Sequence, residues 1–244
     1  MQIMLNGMTL DEMTIERIKQ FEPPVGYYVA FSGGKDSVVL LDLTKRSGVK
    51  FDAHYHLTTV DPPELVRFIR TFSEVEIVKP AETMWQAIRR KNMPPLRNKR
   101  WCCELFKENG GAGRTVLTGI RAAESARRAN RRMVESCYKD KTKHYINPIM
   151  DWEDADVWQY IHEHRLRYCS LYDEGMKRIG CVLCPMIRHV EWEINRWPKL
   201  AAAWKRAVMS TWKPELSESP EKHWEWWLKR DGAAKKNDDS VMFE

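Results

Sequence analysis

What this sequence lacks narrows the field first. No stretch approaches the ~20 consecutive apolar residues that cross a bilayer as a helix, so a membrane span is not expected. Glycine and proline number only 12 each in 244 residues, which excludes collagen-like and low-complexity chains. Six cysteines are too few and too scattered for a disulfide-built scaffold, and thiols or ligands are the expected roles in a reducing compartment. Neither sign of charge dominates: 40 Lys and Arg face 34 Asp and Glu, a net charge of +6. Such a balance accommodates nucleic acid or an anionic nucleotide without demanding either. The opening MQIMLNGMTLDEMTIERI turns acidic and amphipathic too early for a signal peptide, so a cytoplasmic location is expected. Hydrophobic residues make up 43%, enough for a packed core in one large domain or one domain with a tail.

The order of elements reads as α/β. Thr9 can cap a helix reaching about Phe21, closed by Pro23 and Pro24. Tyr27 to Phe31 reads as a short buried strand, followed by SGGKDS and a helix that Gly48 ends. Phe51 to Leu57 alternates like a strand, ELVRFIRTF after Pro62 and Pro63 reads as a helix, and Val75 to Val78 as a third strand. Thr83 to Lys91 reads as helical and Arg114 to Ile120 as a fourth strand. Strands separated by helices predict βαβ units: an open, mainly parallel twisted sheet with helices on both faces. From Glu191 the composition turns to Trp-rich helices, and the final GAAKKNDDSVMFE reads as a frayed tail. The expected organisation is an N-terminal helix (1–25), a nucleotide-binding domain (26–190) and a helical C-terminal extension (191–244).

Ser32-Gly33-Gly34-Lys35-Asp36-Ser37 lies between strand and helix. Two glycines let the backbone turn sharply and aim successive N–H groups into one concavity, and a nest of this kind at a helix N-terminus binds phosphate. Lys35 adds positive charge, and Ser32 and Ser37 add hydroxyls. The loop is neither a Walker A sequence nor GxGxxG. It resembles the pyrophosphate loop of the ATP pyrophosphatase superfamily, whose members cleave ATP between its α and β phosphates. Asp61 ends the next strand, where ligands of open parallel sheets lie. It is a candidate for magnesium or a ribose hydroxyl, with a cap on the helix at Pro62 as the alternative.

Cys102-Cys103 and Cys181-x-x-Cys184 supply four thiolates, enough for a [4Fe–4S] cluster or a four-cysteine zinc site. Adjacent cysteines diverge by ~100° on a regular helix, so their backbone is expected to be irregular or at a helix end. Cys137 and Cys169 belong to no motif and are expected in the core.

Here the resemblance becomes specific. CC followed at a distance by CxxC is the cluster signature of the adenylyl-sulfate reductases and their cluster-bearing relatives, within the phosphoadenosine phosphosulfate (PAPS) reductase family. Arg100-Trp101-Cys102-Cys103-Glu104-Leu105-Phe106-Lys107 resembles the family's R-x-C-C-x-x-x-K, whose lysine lies near cluster and substrate. Thr118-Gly119-Ile120-Arg121-Ala122-Ala123-Glu124-Ser125 resembles T-G-x-R-x-x-E-S, with Arg127 and Arg128 following. Asn147 to Ile161 resembles N-P-L-x-x-W…D-V-W-x-Y-I, and Tyr172 to Cys184 resembles Y-x-x-G-x-x-x-I-G-C-x-x-C. The resemblance covers about residues 26 to 190. It implies catalytic roles for Lys35, Asp36 and Lys107, and nucleotide contacts from Ser32 to Ser37, Asp61, Gly119, Arg121, Arg127 and Arg128. It also implies cluster ligation by Cys102, Cys103, Cys181 and Cys184.

Two departures bear on the activity. Reductases of the family carry a catalytic cysteine in a Glu-Cys-Gly-Leu-His segment near the C-terminus, and this sequence has no cysteine after Cys184. Cys137, Cys169 or an external thiol would have to replace it. Reductases also often have a degenerate phosphate loop, whereas SGGKDS is intact here. The combination implies ATP cleavage to AMP and pyrophosphate coupled to sulfur transfer, with Asp36 or Asp61 placing Mg2+. The alternative enzyme is a sulfonucleotide reductase acting with thioredoxin or another sulfur-donor protein. The non-enzyme alternative is a basic nucleic-acid-binding module with zinc on the four cysteines, for which the arginine-rich segment Arg121 to Arg132 is the phosphate-contacting candidate. The C-terminal tryptophans are expected to pack the helices onto the core, with base stacking as the alternative.

Overall fold

The structure, a computed structural model, describes residues 7–229. The expected frayed tail and the first six residues lie outside them.

Six strands form one sheet in the order β3-β2-β1-β4-β6-β5. They are β1 (Tyr27–Ala30), β2 (Phe51–His56), β3 (Val75–Val78), β4 (Thr115–Leu117), β5 (Val134–Ser136) and β6 (His144–Ile146). All pairings are parallel except that of β5 with β6. The helices are α1 (Leu10–Gln20), α2 (Lys35–Ser47), α3 (Pro63–Ile69), α4 (Met84–Lys91), α5 (Trp101–Phe106), α6 (Ala126–Ala129), α7 (Asp154–Glu163), α8 (Val190–Arg196), α9 (Pro198–Met209) and α10 (Pro220–Lys229). The mainly parallel α/β expectation is met. The β5–β6 hairpin was not anticipated, because three-residue strands leave too little alternation to read. The strand expected from Arg114 to Ile120 contracts to its first half, and the chain then leaves the sheet toward the site.

Local chemistry explains the boundaries. Thr9 and Glu12 form a reciprocal capping box at α1, with Thr9 N–H donating to Glu12 Oε2 at 2.8 Å. Gly48 ends α2 in the left-handed conformation (φ 74°). Cys102 and Cys103 open the short α5, the helix-end position expected of adjacent cysteines.

Strand alternation divides the sheet's two faces. Tyr27, Val29, Ala53, Tyr55, Leu117 and Ile146 enter the main core. The opposite face holds a small cluster of Tyr28, Val116 and Tyr145, with Ala30 and Cys137 against it. The tryptophans of α9 and α10 join the main core: Trp204 and Trp227 are 1% and 2% exposed and stack at 5.0 Å. The packing expectation holds for them, as it does for Cys169, enclosed in the same core.

Candidate functional site

Strand order turns between β1 and β4, and a crevice opens there beyond their carboxyl ends. The loop after β1 is SGGKDS. Gly33 adopts φ +74°, and a Cβ there would approach Leu65 and Ile69 of α3 to 2.7 and 2.8 Å. Both geometry and space therefore require glycine. Gly34 is the N-cap of α2 and has no side chain of its own to cap the helix. The loop ties itself together: Ser32 N–H donates to Ser37 Oγ at 3.2 Å, and Ser37 Oγ donates to the Gly34 carbonyl at 2.8 Å. From the β4 side, Gly119 lies so close that a Cβ would sit 3.1 Å from the Asp36 carbonyl. Glycine is therefore a packing requirement at this position.

The charges of this corner are paired. Lys35, buried, places Nζ 2.9 Å from Asp154 Oδ1 and 3.5 Å from Asp36 Oδ2. Arg121, also buried, donates through Nε to Asp36 Oδ1 at 2.6 Å and through Nη2 to Asp154 Oδ1 at 3.0 Å. Its Nη1 donates to the Trp152 carbonyl at 3.2 Å. Arg121, expected to clamp substrate anions, is thus committed to Asp36 and Asp154. Burial opposes ionisation of Asp154, but the bond to Lys35 and the Arg121 charge overcome it and hold the carboxyl below its usual range.

The nucleotide-sized pocket is lined by Ser32, Gly34 to Ser37, Asp61, Lys107, Gly119 and Arg128. Arg128 is buried and ion-paired to Glu124. Arg127 does not line this pocket; it lines a neighbouring groove instead. Asp61 does not cap α3, whose N-cap is Pro62 without a side-chain bond. Its Oδ2 accepts from Thr58 N–H at 2.7 Å, fixing the carboxylate at the pocket wall. For a magnesium ion, Asp61 is the better placed carboxylate, since both oxygens of Asp36 face Arg121 or Lys35.

Three features escaped the sequence reading. The Tyr172 hydroxyl accepts from Lys35 N–H at 2.9 Å and so sits on the first turn of α2. Tyr28 and His56 share a 2.6 Å hydrogen bond on the pocket floor. Burial and the neighbouring His54 and Lys143 push the His56 pKa down, favouring the neutral ring. Asp154 is the third. Tyr172 and Asp154 lie within stretches that carried the resemblance, but nothing local revealed their partners.

The second corner holds the cysteines. All six are free thiols. A hydrogen bond with Cys103 and burial raise the Cys102 pKa, and Cys184 and Cys181 lie within electrostatic reach of it. The Cys102 bond draws the Cys103 thiol down, with Lys107 and Arg100 adding to it. Arg100 Nη2 lies 3.0 Å from Cys103 Sγ. Cys181 Sγ donates to Thr58 Oγ1 at 3.4 Å, and burial raises its pKa to about 12. Among the described residues, no group of three or more His, Cys, Asp or Glu side chains is arranged to hold a metal ion. By chemistry alone four cysteine sulfurs would suit either an iron–sulfur cluster or a zinc ion. Lys107, the C-cap of α5, lies between this corner and the nucleotide pocket. Neither Cys137 nor Cys169 lines that pocket.

The CxxC arm is held from the C-terminal helices. Leu183 adopts φ +55°, and its N–H donates to Glu193 Oε2 at 2.5 Å. Trp204 Nε1 donates to the Val182 carbonyl at 2.9 Å. Trp227 Nε1 donates to the Pro95 carbonyl, also at 2.9 Å, in the segment leading to Cys102.

Comparison with known proteins agrees with this architecture. The chain is 32% identical over 243 residues to an uncharacterized protein of Methanocaldococcus jannaschii, covering 92% of this chain and 48% of that protein. A second protein of that organism is 29% identical over 66% of this chain and 42% of its own length. The chain therefore spans about half the length of these curated relatives. It is 30% identical to an adenosine 5'-phosphosulfate reductase of Shouchella clausii, over 64% of this chain and 69% of the relative. The fold is similar to a PAPS reductase of Candida auris, solved as a phosphate complex (TM-score 0.54, 22% identity, 72% of this chain and 90% of that one). It is also similar to the Candida glabrata FMN adenylyltransferase with FAD and pyrophosphate (TM-score 0.52, 18% identity, 76% and 70% coverage). Residues 26–187 match the phosphoadenosine phosphosulfate reductase domain, and the chain belongs to that family.

Proposed function

We propose that this chain is an adenine-nucleotide enzyme of sulfur chemistry that cleaves ATP to AMP and pyrophosphate and couples the cleavage to sulfur transfer. The observation that carries this reading is the N-terminus of α2 within an intact SGGKDS loop, where Gly34 leaves the helix start open except for the Tyr172 hydroxyl on the Lys35 amide, with the buried Lys35 side chain beside it. Backbone amides of the first turn and Lys35 meet the charge that grows on the pyrophosphate as the α–β bond breaks, and fixed donors of this kind lower the barrier without reorganising. Arg121 and Asp154 orient Lys35 and Asp36 rather than bind substrate. Asp61 would hold a Mg2+ ion, which would neutralise phosphate charge. Cys102, Cys103, Cys181 and Cys184 would hold a [4Fe–4S] cluster, which would supply a sulfide or an electrostatic anchor for substrate. Lys107 balances negative charge between the two corners.

The second reading, a sulfonucleotide reductase, draws on the 30% identity to a protein named adenosine 5'-phosphosulfate reductase. One experiment separates them. Anaerobically purified protein is incubated with ATP, adenylyl sulfate or its 3'-phosphate form, with and without thioredoxin, and products are identified. AMP and pyrophosphate from ATP, lost in Lys35→Ala, is the expected result. Sulfite from a sulfonucleotide, with ATP untouched, would establish the reductase instead. The cluster is tested separately by iron and sulfide content: about four irons are expected, and Cys181→Ser should lose them.

A further inference from the structure

Beside the nucleotide pocket lies a second, wider groove that the proposed reaction does not use. It runs over α5, α6 and the β5–β6 hairpin, with Lys and Arg twice as numerous as Asp and Glu on its wall. Two of its acids are already matched, Glu135 by Arg131 at 2.7 Å and Glu104 by Lys139 at 3.1 Å. Lys99 and Arg127 form no ion pair among the described residues. A net positive surplus therefore faces solvent along the groove. Aromatic rings accompany it. Tyr138, at the hairpin tip, is 98% exposed, and Trp101 lines the groove wall with its indole N–H buried and without an acceptor among the described residues. Glu108, Gly110, Ile120, Arg128, Lys143 and Tyr145 line both cavities, so the groove and the nucleotide pocket share a wall.

We propose that this groove binds a single-stranded nucleic-acid segment, with Lys99 and Arg127 on its phosphates and Tyr138 stacked on a base. A positive channel combined with a solvent-facing ring is the arrangement that holds single strands without base-edge readout. A small anion would need only the positive charge and would leave Tyr138 in water. A duplex would hide the bases from it. The shared wall brings the bound strand to the edge of the nucleotide pocket, where it is available as an acceptor. The binding itself does not depend on which nucleotide reaction occurs.

The test is fluorescence anisotropy with the full chain and labelled single-stranded RNA and DNA of mixed sequence. A probe of about 12 nucleotides falls within known site sizes. Matching duplex and polyglutamate serve as competitors, and no nucleotide is added. Binding should weaken with salt at a slope of about −0.7 per phosphate contact. Lys99→Glu combined with Arg127→Glu should cut affinity at least about tenfold and flatten that slope by about 1.4. Tyr138→Ala should cut affinity about tenfold through lost stacking, with melting temperature unchanged because the ring is exposed. A difference between RNA and DNA identifies which strand is preferred. Absence of binding at low salt, insensitivity to these variants, or equal or stronger competition by duplex or polyglutamate would each overturn the proposal.

Discussion

The phosphate corner and the cysteine corner sit side by side and are built in opposite ways. The phosphate loop itself is local: Ser32 and Ser37 bond to each other and to Gly34, and the loop closes within one hexapeptide, with Arg121, Asp154 and Tyr172 added to it from outside. The cysteine corner is assembled from distant pieces. Its two arms meet only in the fold, and each hangs from a tryptophan still further along the chain. A local site carries its geometry wherever its strand and helix go. A composite site is only as secure as the packing that holds its arms. Losses in the C-terminal helices should therefore strike the cysteines first and the phosphate loop last.

The sharpest break is Trp204→Ala. It removes an indole packed edge-on against Trp85 at 5.2 Å and stacked on Trp227, along with the bond to Val182. Denaturant unfolding should show a loss of about 3–5 kcal/mol. The protein that remains folded should still bind nucleotide; a parallel loss of both would mean that the corners are not separate. Lys35→Ala should act conversely. It should weaken nucleotide binding, measured by calorimetry, by about 2 kcal/mol, the scale of one charged hydrogen bond, while the accessibility of the cysteines to a thiol reagent stays unchanged. Glu193→Gln weakens the grip on Leu183 and should cost about 1–2 kcal/mol while raising the labelling rate of Cys181 and Cys184. The smallest effect is electrostatic. Asp154 has a depressed folded pKa, so its contribution is present above the ordinary carboxylate value near ~4 and is lost as pH falls through the lower folded value. Because its side chain is 64% exposed, the contribution should stay below about 1 kcal/mol. Unfolding followed between about pH 6 and 3 should be flatter for Asp154→Asn by that amount.

The same contrast explains what the sequence disclosed. SGGKDS could be read because its chemistry and its geometry occupy consecutive residues. The four cysteines could be noticed as a set, but their meeting depends on Val182, Trp204 and Glu193, whose contacts no spacing encodes. Tyr172 belongs to a motif, yet its hydroxyl on the Lys35 amide joins residues far apart in the chain. Arg121 and Arg127 looked alike as basic residues. One is sealed into ion pairs with Asp36 and Asp154, and the other faces a separate groove. Burial, which made the difference, follows from the turn after β4 and leaves no local signature. The hairpin of β5 and β6 was hidden for a simpler reason: its strands are too short to show a period.

The tethers from Trp204 and Trp227 also set an order in time. A chain emerging from the ribosome at about 5–20 residues per second can close its phosphate loop as soon as the first strands and helices pair. The cysteine arms, although already synthesised, lack their anchors until α9 and then α10 appear. The thiols thus pass through a stage of translation in which the nucleotide corner is finished and theirs is not. Delivery of iron and sulfide to this protein, in the reading proposed above, follows the synthesis of α9 and α10.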